Sequence, residues 1–173
     1  MLIDDFLPKY DFVETHDIAI RASKETVFGL MDKIDLCESP IIRALFFLRG
    51  LPNAKLRLRD LKKSKFEILG IDQNKELLLG LAGKFWTLRG EMQEVNAGNF
   101  REFEKQGFAK AVWNFSVDEN GTETRLTTET RIRCLDDASR RNFGFYWTFI
   151  QPFSGLIRRE MLKLVKKKAE LSN

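Results

Sequence analysis

Two cysteines and one histidine among 173 residues leave little material for disulfides, metal sites or histidine-dependent catalysis. Cys37 and Cys134 lie far apart and form no CxxC spacing, which excludes zinc ribbons and disulfide scaffolds. Free thiols are typical of a reducing compartment. Because His16 is the only histidine, HExxH and multi-histidine zinc sites are excluded, and any histidine triad must use position 16. We therefore expect no bound metal.

Nucleotide-binding loops and membrane spans are also missing. Neither GxGxxG nor GxxxxGK[ST] occurs, so we expect no nucleotide cofactor. The longest apolar-rich stretch, residues 143–157, is interrupted by Gln151 and Pro152 and is shorter than the roughly 20 residues of a membrane-spanning helix. The acidic segment 1–8 has too short an apolar run for a signal peptide, which predicts a cytoplasmic protein.

The overall composition is that of one globular domain spanning 1–173, with 43% hydrophobic and 31% charged residues. The net charge of +4 is unevenly spread, because residues 1–40 are acidic and the rest is basic. Such asymmetry indicates either an anionic partner or, more commonly, a solvated charged face.

The first third of the sequence predicts a strand and two helices. One face of a half-buried strand over 12–22 carries Phe12, Glu14, His16, Ile18 and Ile20. Ser23 caps a helix over 24–34, and Ser39-Pro40 starts a second helix that Gly50 ends. The basic stretch 53–65 is predicted to be a connector.

Two hairpins follow. A turn at 72–75 joins two short apolar strands, and a register with Ile71 opposite Glu76 pairs Ile68 with Leu79. In the second hairpin, alternating residues over 109–117 and 124–134 flank Asn120-Gly121, the strongest two-residue turn signal in the chain. A two-residue loop there predicts the pairs Trp113–Thr128 and Phe115–Leu126, with both apolar sets on one face.

The last element is a long helix over 138–170, capped by Asp136 or Asp137 and kinked by Pro152 and Gly155. Its predicted apolar stripe contains Phe143, Tyr146, Trp147, Ile150, Phe153, Ile157, Met161 and Leu164. Its predicted basic back contains Arg158, Arg159, Lys163, Lys166, Lys167 and Lys168. A solvated face explains these bases better than nucleic-acid binding, since aromatic residues are not interleaved with them. Transient docking on an anionic membrane is the other interpretation.

This order of elements resembles the START-like or SRPBCC superfamily, the polyketide cyclase/dehydrase and lipid-transport group. The resemblance depends on Ile18–Ser23 leading into Glu25–Phe28, on the hairpin 109–134 and on the terminal helix. Within that helix, Phe143–Trp147 and Pro152–Arg159 resemble a bacterial branch of the superfamily. The resemblance implies an α+β helix-grip fold, in which a curved antiparallel sheet wraps around the long C-terminal helix and two short helices follow the first strand. It also implies an apolar cavity for lipids, sterols or polyketides, and no catalytic motif.

The inward positions of that fold give a set of candidate ligand-binding residues: Trp113, Phe115, Leu126, Thr128 and Thr130 on the strands, and Tyr146, Ile150 and Phe153 on the helix. Simple core packing is the alternative interpretation. The hydroxyls of Thr124, Thr128 and Thr130 on this dry face need partners, which water or a polar ligand group would supply.

Glu14 and His16 share the inward face of the first strand and form a candidate acid/base pair, with Tyr146 as a further proton-transfer candidate. A hydrated strand end is the alternative for the pair. Cys134 is expected to be a small buried side chain rather than a nucleophile.

The sequence is compatible with three functions. The leading hypothesis is a non-enzymatic carrier or sensor that encloses a hydrophobic small molecule beneath the long helix. The second is an aromatase/cyclase-like or dehydratase-like enzyme acting on a hydrophobic substrate in the same cavity. The third is a protein-interaction module whose apolar helix surfaces bind a partner and whose cavity is vestigial.

Overall fold

A computed structural model of the chain describes residues 1–31, 33–48, 66–87 and 90–172. It has an α+β architecture in which one antiparallel sheet packs against a long C-terminal helix. The elements in chain order are α1 (Leu2–Phe6), β1 (Phe12–Ile20), α2 (Lys24–Met31), a 3-10 turn (Leu36–Glu38), α3 (Pro40–Leu48), β2 (Glu67–Asp72), β3 (Glu76–Gly83), β4 (Ala109–Asn120), β5 (Glu123–Cys134) and α4 (Asp137–Leu171). The strand order is β1-β5-β4-β3-β2. The predicted helix-grip arrangement is confirmed.

The main core lies between the inner face of the sheet and the helices α2 and α4. Every second residue of a strand points to the same face, so Leu79, Phe115 and Leu126 meet there. From α4, Met161 and Val165 complete this core, and both are almost fully buried.

The β4–β5 hairpin has the predicted faces but a different register. Trp113 pairs with Thr130 and Phe115 pairs with Thr128, so the predicted register is wrong by two residues. The turn is centred on Gly121-Thr122, and Gly121 has a φ of 65°. A glycine with positive φ at the first central position is typical of a type II′ turn, whereas a type I′ turn centred on Asn120-Gly121 needs positive φ at both residues. Since the shift is even, every side chain keeps its predicted face.

The β2–β3 hairpin contains a bulge. Ile68 pairs with Leu79 as predicted, but Ile71 pairs with Leu77 and not with Glu76, because the register shifts between Ile68 and Gly70. The bulge leaves Glu76 opposite the last residue of β2.

A second layer, which the sequence patterns did not indicate, covers the outer face of the sheet. Buried residues of α1 and of segment 95–100 pack against Leu78 and Val112 there. The buried Glu76 carboxylate holds this layer by accepting hydrogen bonds from the backbone N–H groups of Leu2 (2.8 Å) and Ile3 (3.1 Å). The α1 helix is therefore tied to the first residue of β3.

The helices largely match their predicted bounds. Helix α2 ends at Met31, three residues before the predicted end, while the predicted stop at Gly50 and the connector 53–65 lie outside the described residues. Asp136 caps α4 through a capping box with Ser139. The Ser139 and Gly107 backbone N–H groups donate to its carboxylate and hold the pKa of Asp136 below its usual range.

Candidate functional site

The predicted pair Glu14 and His16 lies on the inner face of β1, against α4. His16 Nε2 is 3.0 Å from Glu14 Oε1, and the two groups form a hydrogen bond. The side chain of Glu14 is only 7% exposed, so the alternative of a hydrated strand end is wrong for this carboxylate. A catalytic role for the pair stays a prediction.

Two residues of α4, Ser154 and Arg158, complete a buried polar cluster with this pair. Ser154 Oγ donates to Glu14 Oε2 at 3.1 Å, and Arg158 Nη1 lies 3.4 Å from the same oxygen. Arg158 also donates to Ser154, and its Nε and Nη2 donate to Thr130 Oγ1 at 3.2 and 2.7 Å. We call Glu14, His16, Thr130, Ser154 and Arg158 the polar cluster.

Arg158 was predicted to lie on the solvated basic back of the helix, and that placement is wrong. Its side chain is only 12% exposed. Burial lowers the pKa of the Arg158 guanidinium, and the neighbouring Glu14 carboxylate opposes that shift. The sequence does contain a sign that Arg158 faces inward. Arg158 precedes the buried Met161 and Val165 by three and seven residues, and this spacing places all three on one helix face.

Gly155 lets α4 approach the polar cluster closely. A Cβ atom at this position would lie 2.7 Å from Glu14 Oε1 and 3.2 Å from His16 Nε2. The glycine is therefore required by the close approach of helix and strand. Both Glu14 oxygens are engaged by groups of the protein, so the arrangement holds α4 on β1.

The inward threonines all have protein partners. Thr124 donates to the Ala22 carbonyl at 2.7 Å, and Thr128 donates to the Asn114 carbonyl at 3.0 Å. Thr128 also accepts a hydrogen bond of 2.7 Å from Trp113 Nε1. The expectation that these hydroxyls need water or a ligand is therefore wrong, because backbone carbonyls, Trp113 and Arg158 satisfy them.

Among the described residues, the core beneath the C-terminal half of α4 is closely packed. Two predicted wall residues, Phe115 and Leu126, border a cavity of about 10 Å³, whose other lining residues are Met31, Ile34, Leu36, Met161 and Val165. A volume of this size holds at most one water molecule. Phe115 and Leu126 lie in the core, and a ligand-binding role for them stays a prediction. Trp113 is also buried, with its ring 4.9 Å from that of Phe115 and the Arg158 guanidinium 5.3 Å from its centroid.

A larger and more accessible space lies at the first half of α4. This groove has a volume of about 390 Å³ and is lined by Trp86, Asn142, Phe145, Tyr146, Phe149 and Ile150. We call it the aromatic groove. Tyr146 and Ile150 were predicted as ligand-binding residues, and both are half-buried here. Trp86, which follows β3, and Phe145 and Phe149 were not predicted as site residues.

Phe153 was predicted to face the sheet, but it is 53% exposed and does not line this groove. On this turn of the helix, Ser154 and Gly155 take the inward positions because Glu14 and His16 lie opposite them. The predicted apolar stripe included Phe153 because positions 153 and 154, which lie three and four residues after Ile150, fit the helical period equally well.

The other candidates are dispersed. Tyr146 precedes Ser154 by eight residues, or about 12 Å along the helix, and its ring is 5.9 Å from that of Phe143, so it does not join Glu14 and His16. Cys134, expected to be buried, is half-buried, and desolvation, with a contribution from Asp11, raises the pKa of its thiol to about 12. In the described part of the chain, no three His, Cys, Asp or Glu side chains are grouped to hold a metal ion. No helix there has the length and apolar character to cross a membrane.

Comparisons with known proteins give a distant structural similarity and no family. No family model and no curated protein matches the sequence. Among solved structures, the crystal structure of TTHA0849 from Thermus thermophilus is similar at a TM-score of 0.34 and 9% identity. The match covers 94% of this chain and 99% of that one.

Proposed function

We propose that this protein binds a hydrophobic small molecule in the aromatic groove. The observation that supports this proposal best is the size and lining of the groove. A volume of about 390 Å³ lies within the range of about 300–1,000 Å³ that is usual for small-molecule sites. Such sites are mostly apolar with a few polar groups, and here five of the six lining residues are aromatic or aliphatic.

The exposure of the groove residues supplies a driving force for binding. Phe145 is 72% exposed and Phe149 is 59% exposed, so a ligand lying against Tyr146 and Ile150 removes phenyl surface from water. Full burial of such a side chain contributes about 1.5–3 kcal/mol, and partial burial contributes less. The amide of Asn142 is available to orient a polar group of the ligand. The resemblance to START-like proteins favours a lipid, sterol or polyketide-like molecule.

The position of the groove favours binding over catalysis. The groove is formed by the first half of α4, whereas Glu14 and His16 contact Ser154 and Gly155, farther along the helix. Tyr146 is the only titratable residue among the six that line the groove. An aromatase/cyclase-like reaction in this groove would therefore depend on Tyr146 alone for proton transfer.

Two measurements test the proposal. Native mass spectrometry of freshly purified protein, followed by organic extraction, is expected to detect a co-purifying apolar molecule. Titration with the dye 1-anilinonaphthalene-8-sulfonate is expected to saturate at one dye per chain. Trp86→Ala removes a large part of the groove lining and is expected to weaken dye binding by about tenfold, which corresponds to 1.4 kcal/mol.

The matched control is Ile71→Ala, which removes a 55% exposed apolar side chain from the β2–β3 hairpin. This variant is expected to bind the dye like the wild type. Absence of dye binding and of any co-purifying molecule contradicts the proposal. Equal affinity of the Trp86→Ala variant and the wild type contradicts the assignment to this groove.

A further inference from the structure

Three phenylalanines form an exposed row on α4 that extends beyond the aromatic groove. Phe145, Phe149 and Phe153 recur every four residues and are 72%, 59% and 53% exposed. Residues four apart on a helix are neighbours along one face, so the rings form a continuous apolar strip. Phe145 and Phe149 lie 5.1 Å apart between ring centroids. We call these three residues the phenylalanine stripe.

Along α4 itself, the charged residues beside this stripe are positive as far as Arg159, and the next residue, Glu160, is 14% exposed and accepts from Ser39 and Lys163. Residues 138–159 of α4 contain no aspartate or glutamate. The exposed Arg141 and Arg159 lie at the two ends of the stripe, about 27 Å apart along the helix axis and within about 80° of its centre line. Among the described residues, Arg141 has no carboxylate at ion-pair distance, and Arg159 donates only to a carbonyl of its own helix.

All but one of the six remaining bases of α4 have a partner among the described residues. Arg140, Arg158 and Lys163 lie at ion-pair distance from Asp11, Glu14 and Glu160, respectively. Lys166 donates to the Ala19 carbonyl at 2.8 Å and Lys168 contacts Glu38 at 2.6 Å, so both are used to hold the helix on the protein. Lys167 is exposed, lies on the same face as the stripe and has no ion pair within the described residues. The cations that continue the stripe are therefore Arg141, Arg159 and Lys167.

We infer that the phenylalanine stripe docks on an anionic lipid surface. The phenyl rings enter the boundary between headgroups and acyl chains, while Arg141 and Arg159 contact lipid phosphates at either end. Phenyl groups carry no polar atom, so their transfer from water to the acyl-chain boundary leaves no hydrogen-bonding group unpaired. An apolar face with basic residues beside it is typical of helices that lie in the membrane interface.

Lipid docking by the phenylalanine stripe and ligand binding in the aromatic groove can be tested separately. Phe153 belongs to the stripe but does not line the groove, whereas Trp86 lines the groove but is not part of the stripe. A variant at Phe153 therefore changes lipid binding and leaves dye binding in the groove unaltered. A variant at Trp86 weakens dye binding in the groove and leaves lipid binding unaltered.

The experiment is co-sedimentation of the full chain with vesicles of equimolar phosphatidylglycerol and phosphatidylcholine, and with vesicles of phosphatidylcholine alone. We expect binding to the anionic vesicles at low salt, weaker binding near physiological salt, where charges are screened over about 8 Å, and little binding to neutral vesicles. Phe153→Ser is expected to weaken anionic binding by about tenfold. Arg141→Gln with Arg159→Gln is expected to remove the preference for anionic vesicles.

Matched controls are present on the β2–β3 hairpin, at the opposite end of β3 from Trp86. Ile71→Ser removes a similarly exposed apolar side chain, and Lys75→Gln removes one exposed charge. Both are expected to bind vesicles like the wild type, and circular dichroism checks that every variant is folded.

Three results would overturn the inference. The first is equal binding to neutral and anionic vesicles, or no binding to either at low salt. The second is unchanged anionic binding by Phe153→Ser. The third is a dimer in analytical ultracentrifugation without lipid that Phe153→Ser dissociates, which would assign the stripe to a second copy of the chain.

Discussion

Replacing Gly155 by alanine tests whether the polar cluster sets the distance between α4 and β1. In most helix interiors this replacement stabilises a protein by about 1 kcal/mol, because glycine is the more flexible residue. Here the added Cβ would lie 2.7 Å from Glu14 Oε1 and 3.2 Å from His16 Nε2. The Glu14 carboxylate would have to retreat by about 0.7 Å to reach an ordinary contact distance.

The carboxylate has little room for that movement. His16, Ser154 and Arg158 hold its two oxygens, and its side chain is 7% exposed. Overpacking a buried site costs about 1–3 kcal/mol, and we place this site in the upper half of that range because a hydrogen-bonded charge must shift. After subtraction of the helix-propensity gain, Gly155→Ala is expected to lower the free energy of unfolding by about 1–2 kcal/mol.

The control is Gly144→Ala on the same helix. The Cβ added there would lie 3.5 Å from Phe12 Cζ, an ordinary contact, so this variant is expected to gain up to about 1 kcal/mol. Urea unfolding followed by tryptophan fluorescence measures both free energies. In thermal unfolding, each kcal/mol corresponds to about 2–4 °C for a chain of this size. Equal stabilisation of both variants would refute the close approach of α4 and Glu14.

Thr128→Val removes the acceptor of the Trp113 Nε1 hydrogen bond and the donor to the Asn114 carbonyl. It is expected to lower the free energy of unfolding in urea by about 1–3 kcal/mol, whereas Thr127→Val on the opposite face is expected to be nearly neutral. Because the native pKa of Asp136 is lowered, its contribution to stability is present above its unfolded value of about 3.8 and is lost as pH falls through the native value. Asp136→Asn keeps one acceptor oxygen for the cap but loses the charge and the second acceptor, so it is expected to lower thermal stability at pH 7 and to flatten the further loss below pH 4. A steep loss of thermal stability below pH 4 in the Asp136→Asn variant would contradict the assignment of that loss to the Asp136 carboxylate.

Alternation along the strands was enough to predict which residues face the core, but not which residues pair. Trp113, Phe115 and Leu126 lie on the predicted face, since a period of two assigns a face to each residue. Every register shift by two residues preserves those faces, so the pattern cannot distinguish Trp113–Thr128 from Trp113–Thr130. The positive φ of Gly121 distinguishes them, and that conformation is a property of the folded turn.

The polar contacts were harder to predict, because they join residues far apart in sequence. Glu14 and His16 are two residues apart on one strand, so their pairing follows from local geometry. Ser154 and Arg158 contact Glu14 across about 140 residues of chain, and no local pattern indicates that contact. Lys110 is an extreme case on the outer face, where a fully buried ammonium group is bound by Glu104 and the Arg101 carbonyl.

Around Pro152, α4 carries polar residues on its inward face and apolar residues on its outward face, which is the opposite of the usual distribution. The inward face carries Ser154 and Arg158, whose polar groups are satisfied only because Glu14 and Thr130 lie opposite them. The outward face carries three phenyl rings that are more than half exposed. Burial of the inward face stabilises the fold, but the outward rings add little, because their surface remains in water. An exposed apolar strip of this kind is instead typical of a surface that binds something apolar. The proposed ligand and lipid sites lie on this outward face for that reason, whereas the described residues beneath the helix belong to the polar cluster and the core.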